Sequence, residues 1–167
     1  MSNGASKDAA RKGKAVEHLV AASSILASGG QLNVSTSLVD DEGVDIVFHR
    51  RSGSATLGVQ VKSRFMTSAH LVGGSFSQNV RDQTFRVRPD LYLLFVVVDP
   101  EQGTFELAWL VPSADFADRT KPDVRYQRRR FAASTKPGSQ DQWRRYRLTR
   151  RELPEQLLAR LDELEAR

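Results

Sequence analysis

Gly43-Val44-Asp45-Ile46-Val47-Phe48 leads, after a short polar turn, into Val59-Gln60-Val61-Lys62, and this stretch decides the reading of the chain. Apolar and polar residues alternate on both sides of the turn, the two-residue period of strands with one buried face. The pattern predicts strands over Val44–Arg51 and Ala55–Lys62, joined as a hairpin. Val44, Ile46 and Phe48 then share a face with Leu57, Val59 and Val61, while Asp45, Gln60 and Lys62 occupy the other. A turn at Ser52-Gly53 sets Asp45 opposite Gln60, and a turn at Gly53-Ser54 sets it opposite Lys62. Either register gathers a carboxylate, an amide and an ammonium on one side of a hairpin. Those groups suit a metal-dependent site that hydrolyses phosphodiesters.

Outward from the hairpin, Val16, Leu19, Val20, Ile25, Leu26 and Ala27 recur at helical steps. They predict a helix from Asp8 to Ser28, stopped by Gly29-Gly30. Residues 1–7 are small and polar and are expected to lack fixed structure. Leu32 to Leu38 alternates like a half-buried strand, and Asp40-Asp41-Glu42-Gly43 reads as a turn. Gly73-Gly74 marks a loop, and Gln78 to Arg86 is expected to form a short helix. Leu91 to Val98 is a continuous apolar run, the mark of a strand covered on both faces. Phe105–Val111, Tyr126–Phe131 and Trp143–Leu148 are further strand candidates. Leu153, Leu157, Leu158, Leu161 and Leu164 line one side of an amphipathic helix over Glu152–Leu164. No repeat or low-complexity linker divides residues 8–167, so one α/β domain is expected.

Composition removes several classes of function. The 167 residues contain no cysteine, which excludes disulfides, thiolate zinc sites and thiol nucleophiles and agrees with a cytoplasmic location. Lys7, Arg11, Lys12 and Lys14 precede an apolar stretch, but Glu17 and His18 interrupt it, unlike a signal peptide. The longest apolar run falls far short of the ~18 residues of a membrane span. His18, His49 and His70 are too scattered for a zinc motif. Gly73-Gly74-Ser75 lacks the lysine of a phosphate loop, and no Gly-x-Ser-x-Gly occurs.

The formal net charge of +5 is unevenly spread. Arg119 to Arg151 holds twelve basic and two acidic residues, leaving thirteen basic and eighteen acidic elsewhere. Within that segment Arg128-Arg129-Arg130-Phe131 and Trp143-Arg144-Arg145-Tyr146-Arg147 interleave guanidinium groups with aromatic rings. The mixture suits gripping phosphates and stacking on bases. The other reading puts the rings in the core and the arginines in water.

Hydrolysis of a phosphodiester needs a cation to offset phosphate charge and activate water. Magnesium takes oxygen ligands and only one or two carboxylates. Asp45 is one, and Glu17, at the edge of the helix's apolar stripe, is the natural second. Asp40 and Asp41 are alternatives, held less firmly in their turn.

The order Gly13-x3-Glu17, Gly43-x-Asp45, Gln60-x-Lys62 resembles the PD-(D/E)XK nuclease superfamily, and most of all its Mrr-like and Holliday-junction-resolvase-like members. The motifs span Ala9 to Lys62, and the strand order extends the likeness to about Val111. The resemblance implies a restriction-endonuclease-like core: a helix, a three-stranded meander, a helix, then further strands. It implies Mg²⁺ or Mn²⁺ held by Asp45, Glu17, the Val61 carbonyl and Gln60, with Lys62 positioning water and stabilising phosphate charge. Gln60 stands where many members have an acid, which lowers the site's negative charge, although Mrr-like enzymes commonly carry Gln there. Val44 replaces the family's proline. The expected function is metal-dependent cleavage of nucleic acid, most of all DNA, with Arg128, Arg129, Arg130, Arg144, Arg145 and Arg147 on the substrate backbone. The alternative is an inactive nuclease-fold module that binds nucleic acid or a protein partner. A homodimer, or a place in a larger defence or repair complex, is compatible with either.

Overall fold

The layering follows from one strand. Strand β5 (Leu91–Asp99) sends Tyr92, Leu94, Val96 and Val98 into one core and Leu93, Phe95 and Val97 into another. A strand buried on both faces has no polar side to show, hence its unbroken apolar run. The computed structural model describes residues 3–36 and 43–167, with side chains from residue 7 onward.

The chain opens with helix α1 (Asn3–Ala27), followed by strands β1 (Leu32–Ser35), β2 (Ile46–Arg50) and β3 (Thr56–Phe65). After one helical turn, α2 (Ala69–Val72), come β4 (Ser75–Arg81), β5 and β6 (Thr104–Pro112). Helix α3 (Ser113–Arg119), β7 (Pro122–Asp123), β8 (Arg128–Ser134), a 3₁₀ turn at Arg144–Tyr146, β9 (Arg147–Leu148) and α4 (Glu152–Glu165) complete it. The main sheet has the order β1-β2-β3-β5-β6-β9, antiparallel except where β3 runs parallel to β5. A smaller sheet has the order β4-β8-β7.

Helices α1 and α4 close one face of the main sheet with Val16, Val20, Leu153, Leu157 and Leu161. The small sheet and α3 close the other with Phe76, Val80, Phe131, Ala133 and Phe116, joined by Trp143. Helix α4 is tied down at both ends. Thr149 and Glu152 exchange hydrogen bonds in a capping-box arrangement ahead of it. At its far end the Glu165 carboxylate accepts from Ser54 and the Ala55 N–H, while Arg50 pairs with Asp162.

This is a mixed α/β fold with the expected first helix, three-stranded meander, central strand and C-terminal helix. Several local expectations are corrected. Residues 75–81 form a strand, so the short helix expected over Gln78–Arg86 is absent. Phe76 and Val80 lie four apart, a spacing that fits a helix face as well as a strand. Pairing of all seven β4 residues with β8 decides between them. Helix α1 begins at Asn3, inside the segment expected to lack structure, and α3 was not anticipated. The strand expected over Trp143–Leu148 is a 3₁₀ turn and the two residues of β9. Asp40, Asp41 and Glu42, with their expected turn, lie outside the described residues.

Candidate active site

The hairpin adopts the register set by a Ser52-Gly53 turn: Ile46 pairs with Val59, Phe48 with Leu57 and His49 with Thr56. Ser52 takes a left-handed backbone (φ 68°), and the Gly53 N–H closes onto the Arg50 carbonyl at 3.0 Å. At the open end the Asp45 N–H donates to the Val59 carbonyl (3.0 Å) although Ile46 is the partner of Val59. The ladder slips by one residue there, the effect of a bulge, which re-aims a side chain. The Asp45 carboxylate turns onto β3 and its Oδ2 accepts the Val61 N–H at 2.6 Å.

Beside it, Gln60 is buried and Lys62 half-buried. Gly43 adjoins Gln60 with φ +68°, and a Cβ there would lie 3.0 Å from Gln60 Nε2 and 3.1 Å from the Thr84 carbonyl oxygen. A side chain at position 43 would therefore displace the amide.

Helix α1 brings the second carboxylate. Val16 and Val20 anchor it in the core, which holds Glu17 at the margin, where only 15% of its side chain is exposed. Lys14 Nζ meets Glu17 Oε2 at 2.6 Å. Between α1, β3 and β4 lies a cleft of about 1150 Å³ lined by Glu17, Asp45, Val61 and Lys62, and also by Lys12, Lys14, Arg64 and Gln78. Next to it Asp45, Gln60 and Lys62 line a pocket of about 270 Å³ together with Gly43, Arg81 and Thr84. The structure thus brings Glu17, Asp45, Gln60, Val61 and Lys62 to one place from a helix and two strands. Among the described residues, no group of three or more acidic, histidine or cysteine side chains is placed to hold a metal. The carboxylates of Glu17 and Asp45, with the Gln60 amide and Val61 carbonyl oxygens, are donors of the hard-oxygen type that magnesium takes, and magnesium keeps several waters of its own.

The arginine segment divides. Phe131 and Trp143 are fully buried, so the idea that they stack on bases is corrected: their rings belong to the second core. Strand alternation sends Arg129 inward with Phe131, where it pairs with Asp82 (3.0 Å) and donates to the Ala117 and Thr120 carbonyls. Arg147 donates to the Ser134, Thr135 and Lys136 carbonyls, pinning the loop after β8. Arg145 pairs with Asp115 and contacts the Tyr146 hydroxyl, which itself donates to Asp115 at 2.5 Å. Arg128, Arg130 and Arg144 make no ion pair among the described residues, and Arg130 and Arg144 are exposed.

Sequence reasoning missed Arg64, Gln78 and Arg81. Arg64 Nε donates to the Ser77 carbonyl (3.0 Å) and Gln78 Nε2 to the Ser63 carbonyl (2.6 Å), so both stitch β4 to the end of β3 at the cleft wall. Reading Gln78–Arg86 as a helix hid Gln78 and Arg81, and ending the strand at Lys62 left out Arg64. The available signal was the alternation Phe76-x-Gln78-x-Val80 against Ser77-x-Asn79-x-Arg81.

No protein-family model and no curated protein sequence matches the chain. Its fold does have a solved counterpart. The bacterial homing endonuclease I-Ssp6803I superposes with a TM-score of 0.52 at 18% identity, covering 89% of this chain and 94% of the other. At that identity the likeness is one of fold, and it extends over nearly the whole of both chains. Among the described residues no helix is long and apolar enough to cross a membrane.

Proposed function

We propose that the protein is a metal-dependent endonuclease of PD-(D/E)XK type that hydrolyses phosphodiester bonds in DNA. One observation carries this reading: Glu17, Asp45, Val61 and Lys62, distant in sequence, line a single cleft. The fold shared with a protein described as a homing endonuclease supports DNA as the substrate. Asp45, Glu17, the Val61 carbonyl and Gln60 would hold Mg²⁺ or Mn²⁺. Such an ion, when bound, offsets phosphate charge and lowers the pKa of water. The chain's own groups do the rest. The Val61 N–H fixes the Asp45 carboxylate. The Lys62 ammonium offsets charge developing on the phosphate as the water oxygen bonds to phosphorus and the leaving oxygen departs. Lys14 pairs with one oxygen of Glu17, Oε2, which lowers the net charge that carboxylate brings to the cleft.

A second reading, a nuclease-fold module that binds without cutting, draws on that same Lys14–Glu17 pair and on the neutral Gln60. The two separate in a cleavage assay on labelled linear, branched and single-stranded DNA with Mg²⁺ or Mn²⁺. Cutting that disappears with EDTA, in Asp45→Ala and in Lys62→Ala supports the enzyme. A folded wild type that binds DNA and leaves it intact supports the module.

A further inference from the structure

Strands β4 and β8 form an antiparallel ribbon whose inner face carries Phe76, Val80, Arg129, Phe131 and Ala133. Its outer face is wholly polar or small: Ser77, Asn79 and Arg81 on one strand, Arg128, Arg130 and Ala132 on the other. Arg81 stands directly opposite Arg128, and Arg130 opposite Asn79. Like charges across a ladder repel. Asp82 is taken by Arg129, and Asp123, the neighbour of Arg128 on β7, accepts the Tyr126 N–H. Among the described residues no carboxylate lies within ion-pairing distance of Arg81, Arg128 or Arg130.

This face meets both concavities of the site. Arg81 lines the pocket that holds Asp45, Gln60 and Lys62. Midway along the ribbon Arg130 Nε donates to Ser77 Oγ (2.9 Å), and the Ser77 carbonyl accepts from Arg64 of the cleft wall.

We propose that the outer face of the β4–β8 ribbon, with Arg81, Arg128 and Arg130 as its cations, holds the sugar-phosphate backbone of duplex DNA beside the cleft. The proposal rests on the nuclease reading above and assigns its substrate grip. Three guanidinium groups that make no ion pair among the described residues, with serine and asparagine between them, offer phosphate oxygens both charge and hydrogen-bond donors. Single-strand grooves add aromatic platforms for bases, and this face displays none. The exposed ring of Tyr126, beside Arg128, already carries Arg128 and Arg125 over it, at 4.7 and 5.2 Å. Arg81 is the pivotal member because it belongs to both the ribbon and the pocket.

The test is fluorescence anisotropy of a labelled 30-base-pair duplex across a salt series in EDTA, so that binding is read without cutting. The wild type is compared with an Arg81→Ala/Arg128→Ala/Arg130→Ala triple variant, its all-lysine counterpart, and Arg144→Ala, which lies outside the ribbon. Each lost phosphate contact flattens the plot of log K against log salt by about 0.9, so the alanine triple should lose about 2.7. The lysine triple should keep the wild-type slope, because a point charge suffices for a phosphate; that also separates lost charge from lost folding. An unchanged slope in the alanine triple overturns the proposal, and so does a loss confined to Arg144→Ala. Preference for single-stranded over duplex DNA, or wild type with no salt-dependent binding, overturns it as well. Wild type that binds through the ribbon but never cuts would sink the nuclease reading and leave the ribbon standing.

Discussion

The Asp45–Lys62 hairpin and the basic segment from Arg119 to Arg151 both announce themselves in the sequence, yet they fared differently in three dimensions. In the hairpin, side chains seven to seventeen residues apart are related by one turn, and strand alternation alone assigns their faces. In the basic segment, neighbouring arginines have opposite fates. Arg129 is pulled inward against Asp82 and two carbonyls, while Arg128 and Arg130 point out beside it. A run of like residues says that a region is charged. Which of its charges remain available depends on what packs underneath.

The sharpest way to break that contrast is Phe131→Ala. Its ring stacks on Phe95 with centroids 3.7 Å apart in a buried aromatic cluster, so chemical denaturation should show a loss of about 3–5 kcal/mol. A loss below 1 kcal/mol would return Phe131 to the surface. At the hairpin the effect should fall on activity instead. Asp45→Ala and Lys62→Ala should each cut the cleavage rate by at least about 10²-fold while the circular dichroism spectrum and melting temperature stay close to wild type.

Arg129→Ala tests the division within the basic run. It strands a half-buried carboxylate and two carbonyls, for an expected destabilisation of about 1–3 kcal/mol, whereas exposed Arg144→Ala should stay within about 0.5 kcal/mol. Equal effects in the two would mean that the segment is a uniform solvated face. Gly43→Ala should cost about 1–2 kcal/mol for its left-handed backbone and slow cutting as well, because the new methyl meets Gln60 and Thr84. Normal stability and activity would show that Gln60 needs no fixed placement.

The smallest effect concerns acid. Hydrogen bonds from the Ser54 hydroxyl, then from the Ala55 and Ser54 N–H groups, hold the Glu165 carboxyl below its ordinary value of 4.5. A depressed folded value means that its contribution is full above the ordinary value and fades as pH falls through the folded one. Glu165→Gln should therefore lower stability slightly at neutral pH, and the gap from wild type should close as pH falls below 4.5 and through the depressed folded value. A gap that persists at low pH would mean that the carboxylate charge is not what anchors α4.

The strand periods, the doubly covered Leu91–Val98 run, the leucine stripe of α4 and the order of Glu17, Asp45, Gln60 and Lys62 were all legible in the chain. Each rests on local periodicity or on a single turn. The helix expected over Gln78–Arg86 failed because the apolar residues of that stretch fix no period; pairing with β8, some fifty residues on, settles it as a strand. Gln78 and Arg81 went unseen for that reason, and Arg64 because it lies past Lys62, where the strand was expected to end.

By itself, then, the sequence determined the hairpin, the central strand and the terminal helices, and which residues of the hairpin share a face, because alternation and helical spacing are short-range steric consequences of the backbone. The tertiary structure alone decided that Glu17 meets Asp45 in one cleft, that Phe131 and Trp143 are core, and that Arg81 rather than Arg129 turns toward the site. Those outcomes depend on which distant surfaces exclude water from one another, a property of the packed whole that no window of sequence contains.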